Sequence, residues 1–263
     1  MIFKPKKSLG QNFLIDENII KKIVNLGNIS NNDSVLEVGP GSGKLTKEIL
    51  MKNPKKLFAV EKDKFLSNQL IEKYKNKIKI FNNDILNFKE NKISRKKIII
   101  FGNLPYNIST QILVKWITCE ESFKTYKKLI LMFQKDVAER IVAKNNEKNY
   151  GRLSIISAWR LIIKKEFDVS EYCFYPRPKV KSSVLTFVPK KKYIKFKDPK
   201  NLEYITNIFF SRKRKMINKA YHKIFKNKIS VIKKLNINLK DRPGNLSSEI
   251  YYALTKKYED LRA

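Results

Sequence analysis

Val35-Leu36-Glu37-Val38-Gly39-Pro40-Gly41-Ser42-Gly43, with a helical pattern opening at Lys44, is the stretch on which the reading of the fold turns. Val35–Val38 has the length and side chains of a buried strand. The three glycines let the backbone turn tightly and approach a ligand, with a helix N-terminus standing behind them. Taken alone, such a loop often does no more than turn a corner. A second strand candidate, Leu57–Val60, runs into Glu61, which stands 22 positions after Gly39. An open α/β sheet that binds a nucleotide holds ribose hydroxyls with an acid at about that distance. The dinucleotide form of the loop, G-x-G-x-x-G, requires glycine at position 44, where this chain has Lys44.

Working outward, the same alternation continues. Residues 16–27 predict an amphipathic helix capped by Asp16, striped by Ile19, Ile20, Ile23 and Val24, and stopped at Gly27. Strand candidates follow at Lys77–Phe81, Ile98–Phe101 and Leu129–Phe133, with helical spacing over 44–52, 64–75 and 109–118. Strands alternating with helices predict an α/β fold with a parallel sheet covered on both faces. Leu153–Ile162 fits either a buried helix or a strand, and Val180–Val188 alternates as a late strand. Beyond Pro189 the composition shifts. Residues 189–263 read as helical and carry 21 basic against 6 acidic side chains. The expected division is therefore a domain over 1–188 and a basic helical domain over 189–263.

Composition narrows the chemistry. The 263 residues are 42% hydrophobic and 31% charged, which describes a folded domain with a sizeable core. Apolar runs such as Leu129–Phe133 are strand-sized and far short of a membrane span. The basic start, Met1 to Lys7, lacks the apolar centre of a signal peptide, so a cytoplasmic location is expected. Cys119 and Cys173 stand far apart and His222 is the single histidine. That argues against a zinc site or any other metal, and against a Ser-His-Asp or Cys-His mechanism. The net charge is +33, which calls for a polyanionic partner. Lysine outnumbers arginine 48 to 9, as drift toward an AT-biased coding sequence would produce. Such drift exchanges Arg for Lys without changing charge, and does not explain why acids number only 24. Nucleic acid is the favoured partner and an anionic membrane the weaker one.

One further segment carries chemistry. The run Ile98–Phe101 leads into Gly102-Asn103-Leu104-Pro105-Tyr106. Pro105 has no N–H and pushes Leu104 away from the helical region, so the carbonyls of Asn103 and Leu104 can be left free to accept. An amide, free carbonyls and an aromatic ring side by side are the parts needed to hold a flat base and its exocyclic amine. In isolation the four residues favour the plainer reading, a strand-to-loop turn.

The G-x-G-x-G form with Glu37 two positions ahead of it resembles motif I of S-adenosylmethionine-dependent methyltransferases. Asp84 in Asn82-Asn83-Asp84 matches the acid that contacts the cofactor adenine. Asn103-Leu104-Pro105-Tyr106 matches the tetrad that marks methylation of an amino nitrogen. Four blocks in order narrow the likeness: Leu9–Leu14, Glu37–Gly41, Asn103–Ser109 and Phe174-Tyr175-Pro176-Arg177-Pro178-Lys179-Val180-Lys181-Ser182. Together they resemble the KsgA-type (RsmA family) rRNA adenine dimethyltransferases, from about residue 4 to the C-terminus. The resemblance implies a Rossmann-like class I methyltransferase domain with a small C-terminal all-helical domain. It implies S-adenosyl-L-methionine as cofactor and dimethylation of the exocyclic amines of two adjacent adenosines near the 3′ end of 16S rRNA. The partner is then the immature small ribosomal subunit. Carried onto this chain, Gln11, Asn12 and Leu14 contact the cofactor, and Gly39 and Gly41 line its methionine end. Glu61 takes the ribose and Asp84 the adenine. Asn103 faces both cofactor and target amine, with Leu104 supplying a carbonyl. Tyr106 stacks on the target base, with Phe174 as the opposing aromatic or, on the plainer reading, a core residue.

RNA contacts are expected from Lys6 and Lys7 before the N-terminal block, from Arg177, and from Arg212, Lys213, Arg214 and Lys215, read as opening a helical stretch in the tail. Each lysine alone reads equally as part of a solvated face, whereas clustered arginines suit bidentate phosphate contacts. Three alternatives stand beside this reading. The first is an Erm-type methyltransferase of 23S rRNA; Leu104 in place of Ile, and Gly10 before Gln11, lean away from it. The second is a catalytically idle rRNA-binding assembly factor. The third is a DNA adenine methyltransferase, for which the tail shows no sequence-reading domain. With no coiled coil or obvious pairing surface, a monomer is expected.

Overall fold

The structure is a computed structural model and describes residues 5–6, 9–94, 96–226 and 228–262. Two units divide the chain: Met1–Ala138 with Ile162–Pro189, and Glu139–Leu161 with Lys190–Ala263.

The first unit opens with β1 (Phe13–Leu14) and α1 (Glu17–Asn25). Asp16 caps α1 by accepting from the Ile19 N–H at 2.9 Å, and Ile20, Ile23 and Val24 form its buried stripe. Then come β2 (Ser34–Val38), α2 (Lys44–Met51), β3 (Lys56–Glu61), α3 (Lys64–Tyr74) and β4 (Lys79–Asn82). After β5 (Ile98–Asn103), α4 (Ser109–Thr118) and α5 (Glu120–Lys124) lead to β6 (Tyr126–Gln134). Five of these strands lie parallel in the order β4-β3-β2-β5-β6. The central ones are apolar almost without interruption because both of their faces are covered.

Strand β2 has β3 on one side and β5 on the other, so successive connections leave it in opposite directions. In an open sheet of this kind a crevice forms at that point, beyond the carboxyl ends of the strands. There the Gly39 loop and the Asn103 turn come together.

The later strands differ from the all-parallel expectation. Helices α6 (Lys135–Val142) and α7 (Arg152–Arg160) precede β7 (Leu161–Val169), β8 (Phe174–Tyr175) and β9 (Ser182–Pro189). β9 runs antiparallel to β6, with Leu129 opposite Phe187 and Gln134 opposite Ser182, and β7 is the edge strand outside it. The ambiguous 153–162 segment is thus a helix that passes directly into a strand. β7 escaped the sequence reading because an edge strand does not need to be apolar; it holds Lys164, Lys165, Glu166 and Asp168, and Ile162 is exposed. β8 pairs antiparallel with β1, Phe13 opposite Tyr175 and Leu14 opposite Phe174.

The second unit is helical, with α8 (Lys200–Phe210), α9 (Asn218–Phe225), α10 (Ile229–Leu235) and α11 (Ser248–Asp260) joined by α7. Composition placed the change of character at 188/189, whereas this unit also takes Glu139–Leu161, a stretch with a lower charge density than the tail. Trp159 of α7 explains the grouping: its ring stacks on Phe196 at 4.7 Å and its Nε1–H donates to the Ile194 carbonyl at 2.7 Å. The buried Glu259 of α11 accepts from the N–H groups of Lys197 and Asp198 and from Asn201 Nδ2, holding the start of α8. Among the described residues no helix is long and apolar enough to cross a membrane.

Candidate active site

A cleft opens beyond the carboxyl ends of β2, β3, β4 and β5, where an open α/β sheet binds its ligands. Its walls are five short segments: 9–13, the Gly39 loop, Glu61–Lys62, 83–86 and 103–108. Of the residues expected to hold the cofactor, Gln11, Asn12, Gly39, Gly41, Glu61, Asp84 and Asn103 all line it, as do Leu104 and Tyr106. Leu14 does not. Its side chain belongs to the core and borders a smaller adjoining recess with Glu37, Gly39 and Met132.

The glycines are required by geometry. Gly39 and Gly41 have φ of +68° and +56°, and a Cβ on Gly41 would fall 2.6 Å from the Phe13 ring. The Gly41 N–H donates to Glu61 Oε2 at 3.2 Å, while Glu61 Oε1 accepts from the Asp63 N–H at 2.8 Å. One carboxylate therefore ties the loop after β2 to the end of β3. Burial pushes the Glu61 carboxyl up, and these backbone N–H groups pull it back. Behind the loop, Glu37 is wholly buried and accepts from Thr46 Oγ1 at 2.6 Å; burial raises its carboxyl to about 8.

Asp84 accepts from Lys62 Nζ at 2.8 Å and from the Leu86 N–H at 2.9 Å, and the Lys62 hydrogen bond is the main cause that keeps its carboxyl low. Asn103 Nδ2 donates to the Asn12 carbonyl at 2.8 Å, which fixes the amide and leaves Oδ1 as its acceptor. The tetrad and the N-terminal block, 91 residues apart, thus meet through one hydrogen bond. Tyr106 Oη shares a 2.6 Å hydrogen bond with Ser182 Oγ. Burial pushes the Tyr106 phenol up, so the O–H is kept at neutral pH.

The cleft fits the expected cofactor on this chain's own chemistry. Glu61 and Asp84 are acceptors only, suited to ribose hydroxyls and to an adenine amine. The glycine loop, held at Gly39 by a φ of +68°, leaves an uncluttered wall beside Asn103.

Phe174 is corrected. It is 3% exposed and packed in the core with Leu14, Ile23 and Val184, so its ring presents no face to a ligand. Pairing of β8 on β1 turns Phe174 inward and leaves its neighbour Tyr175 outward, 62% exposed. The plainer of the two readings of Phe174 is the one that the packing follows.

The expected RNA contacts separate. Lys7 lies outside the described residues. Lys6 Nζ pairs with Asp63 at 2.9 Å, and Arg177 pairs with Glu171 at 3.0 Å while lying over the Tyr172 ring at 3.6 Å. In the second unit residues 211–215 form a turn after α8 rather than the opening of a helix. Lys213 Nζ donates to the carbonyls of Lys148 and Tyr150, which makes it a brace for that turn. Arg212 and Lys215 line a groove with Lys219 and Lys223, and Arg214 is exposed.

Sequence reasoning missed Lys62, Asp63 and Ser182. Asp63 caps α3 through Phe65 N–H and also accepts from Gln11 Nε2 at 3.2 Å, so it fastens Lys6 and Gln11 beside the cleft. An Asp ahead of a helical run is a recognisable cap. Its long-range partners carry no local signal.

A glycine loop after the first parallel strand, acids after the next two and an Asn-Leu-Pro-Tyr turn after the fourth define a class I, Rossmann-like methyltransferase. The family model described as ribosomal RNA adenine dimethylase matches residues 2–260. The ribosomal RNA small subunit methyltransferase A of Pelagibacter ubique is 54% identical over 262 residues, covering all of both chains. The protein of the same name from a Wolbachia of Drosophila simulans is 40% identical, over 99% of this chain and 96% of its own. Among solved structures, a dimethyladenosine transferase from Plasmodium falciparum superimposes with a TM-score of 0.81 at 24% identity, covering 94% of this chain and 98% of that one. The chain belongs to the ribosomal RNA adenine dimethylase family, and it is an rRNA adenine dimethyltransferase.

Proposed function

We propose that this enzyme uses S-adenosyl-L-methionine to dimethylate the exocyclic amines of two adjacent adenosines near the 3′ end of 16S rRNA, during assembly of the small ribosomal subunit in the cytoplasm. The observation that carries the reading is the convergence of Asn103–Tyr106, the N-terminal block and the acids at 61 and 84 on one cleft. The names of the relatives at 54% and 40% identity favour the small subunit as substrate.

The cofactor, when bound, supplies the methyl group as an electrophile. The residues have the remaining tasks. The lone pair of an adenine amine is delocalised into its ring, so the amine is a weak nucleophile. Asn103 Oδ1 and the Leu104 carbonyl accept hydrogen bonds from its protons and hold it in line, and no covalent enzyme intermediate is needed. The base must leave its stack, and the Tyr106 face offsets part of that loss; such stacking is worth about 1–3 kcal/mol. Glu61 and Asp84 hold ribose and adenine of the cofactor, and Gln11 and Asn12 close its side of the cleft. In the second unit the groove of Arg212, Lys215, Lys219 and Lys223 takes phosphates, within a tail (189–263) that carries 21 basic against 6 acidic side chains.

The test is methylation of undermethylated small subunits with labelled cofactor, followed by mapping of the modified bases. Label on two adjacent adenosines near the 3′ end of 16S rRNA is the expected result. Label in 23S rRNA, or none, would refute the assignment.

A further inference from the structure

We infer that Ser182 is a positioning residue for methyl transfer: its hydroxyl pins the phenol of Tyr106, and so fixes the ring face on which the target base rests. This rests on the base-stacking reading of Tyr106 given above. The two oxygens are 2.6 Å apart, a short O–H···O hydrogen bond, between residues 76 positions apart in the chain. Ser182 is fully buried, so water does not stand in for it.

The topology explains how so distant a residue reaches the site. β5 and β6 are parallel, with Asn103 opposite Met132. β9 is antiparallel to β6, with Val184 opposite Met132 and Ser182 opposite Gln134. An antiparallel strand brings its first residue, rather than its last, to the carboxyl edge where the ligand cleft lies. Ser182 thus begins β9 just where Tyr106 closes the turn after β5.

A tyrosine on a loop can move between staggered rotamers about its Cα–Cβ bond, which sweeps the whole ring and its Oη through an arc. A ring that swings would still offer area to a base but would hold its amine off the line of transfer. Anchoring the far end of the ring at Oη removes that freedom. The expected loss is in rate rather than in cofactor affinity, because Ser182 is absent from the cofactor cleft that Tyr106 borders.

The experiment measures single-turnover methyl transfer to undermethylated small subunits for Tyr106→Phe, Ser182→Ala, the double variant and Tyr106→Ala. Calorimetric affinity for S-adenosylmethionine and the thermal midpoint accompany each rate. The inference expects Tyr106→Phe and Ser182→Ala each to be slower by about tenfold with cofactor affinity unchanged, and the double variant to be no slower than either, since both remove one bond. Single-variant rates equal to wild type, or losses that multiply in the double variant, overturn it. A loss confined to thermal midpoint and cofactor affinity overturns it as well, because that is what a purely structural serine would give. The Tyr106→Ala arm separates the two levels. If Tyr106→Ala is impaired while the two single variants match wild type, only the role of Ser182 falls; if Tyr106→Ala turns over normally, the stacking reading falls with it.

Discussion

At Asn103 one side chain meets two demands. Its Nδ2 anchors the N-terminal block at Asn12, and its Oδ1 is left as an acceptor, the one proposed above for the target amine. Asn103→Ala should lower labelled methyl transfer by about 100-fold or more, while the missing hydrogen bond removes only about 1 kcal/mol of stability. A variant with wild-type turnover would dismiss the site assignment. Glu37 gives a pH prediction in the absence of cofactor. Its carboxyl is raised by burial from 4.5 to about 8, so the folded chain retains a proton that the unfolded chain releases. This group therefore makes stability fall as pH rises from 4.5 toward 8, by about 1.4 kcal/mol per pH unit within that window, and adds no slope outside it. Glu37→Gln should flatten that part of the curve of thermal midpoint against pH; an unchanged slope would show that Glu37 is already ionised.

Among the elements, α3 and the N-terminal block are joined through Asp63. Burial alone would raise this carboxyl, yet Lys6, Gln11 and the Phe65 N–H hold it below its ordinary value. Asp63→Ala removes a helix cap, a loss of about 1 kcal/mol, and also releases Lys6 and Gln11. Weaker binding of S-adenosylmethionine, by about tenfold in titration calorimetry, is the expected result; unchanged affinity would mean that the block is placed by other contacts. Gly41→Ala should weaken the same affinity more, since its Cβ would meet the Phe13 ring at 2.6 Å on a backbone with φ of +56°. The central parallel strands were legible because each holds a largely apolar run between turn signals, and β4 because its apolar residues alternate with lysines. β7 was not, because its charged side chains satisfy an edge position that local sequence does not announce.

For the whole molecule the dominant property is a charge of +33. Binding to rRNA should weaken linearly in log–log terms with salt, and removing one cation that pairs with a phosphate should reduce the slope by about one. Arg212→Ala with Lys215→Ala, both on the groove of the second unit, should therefore lower the slope by about two. Lys213→Ala should leave the slope nearly unchanged and lower the thermal midpoint, since its ammonium braces the Lys148 and Tyr150 carbonyls. A salt slope that responds to Lys213 but not to Arg212 and Lys215 would reverse that assignment.

By itself the sequence determined the reaction class and most of the cleft. Gly39, Glu61, Asp84 and Asn103 each lie at or within two residues of a strand's end, and the order of strands alone sends them to one sheet edge. Tertiary structure decided the partners across the fold. The pairing of β8 with β1 sends Phe174 into the core, the reversal of β9 brings Ser182 to Tyr106, and Glu139–Leu161 joins the helical unit. Lysines that look alike in sequence become brace, ion-pair partner or groove wall according to which carbonyl or carboxylate lies within reach. Strand ends and caps are set by neighbours in sequence, whose chemistry can be read locally. Contacts between residues tens of positions apart depend on strand direction and register, which no local pattern encodes.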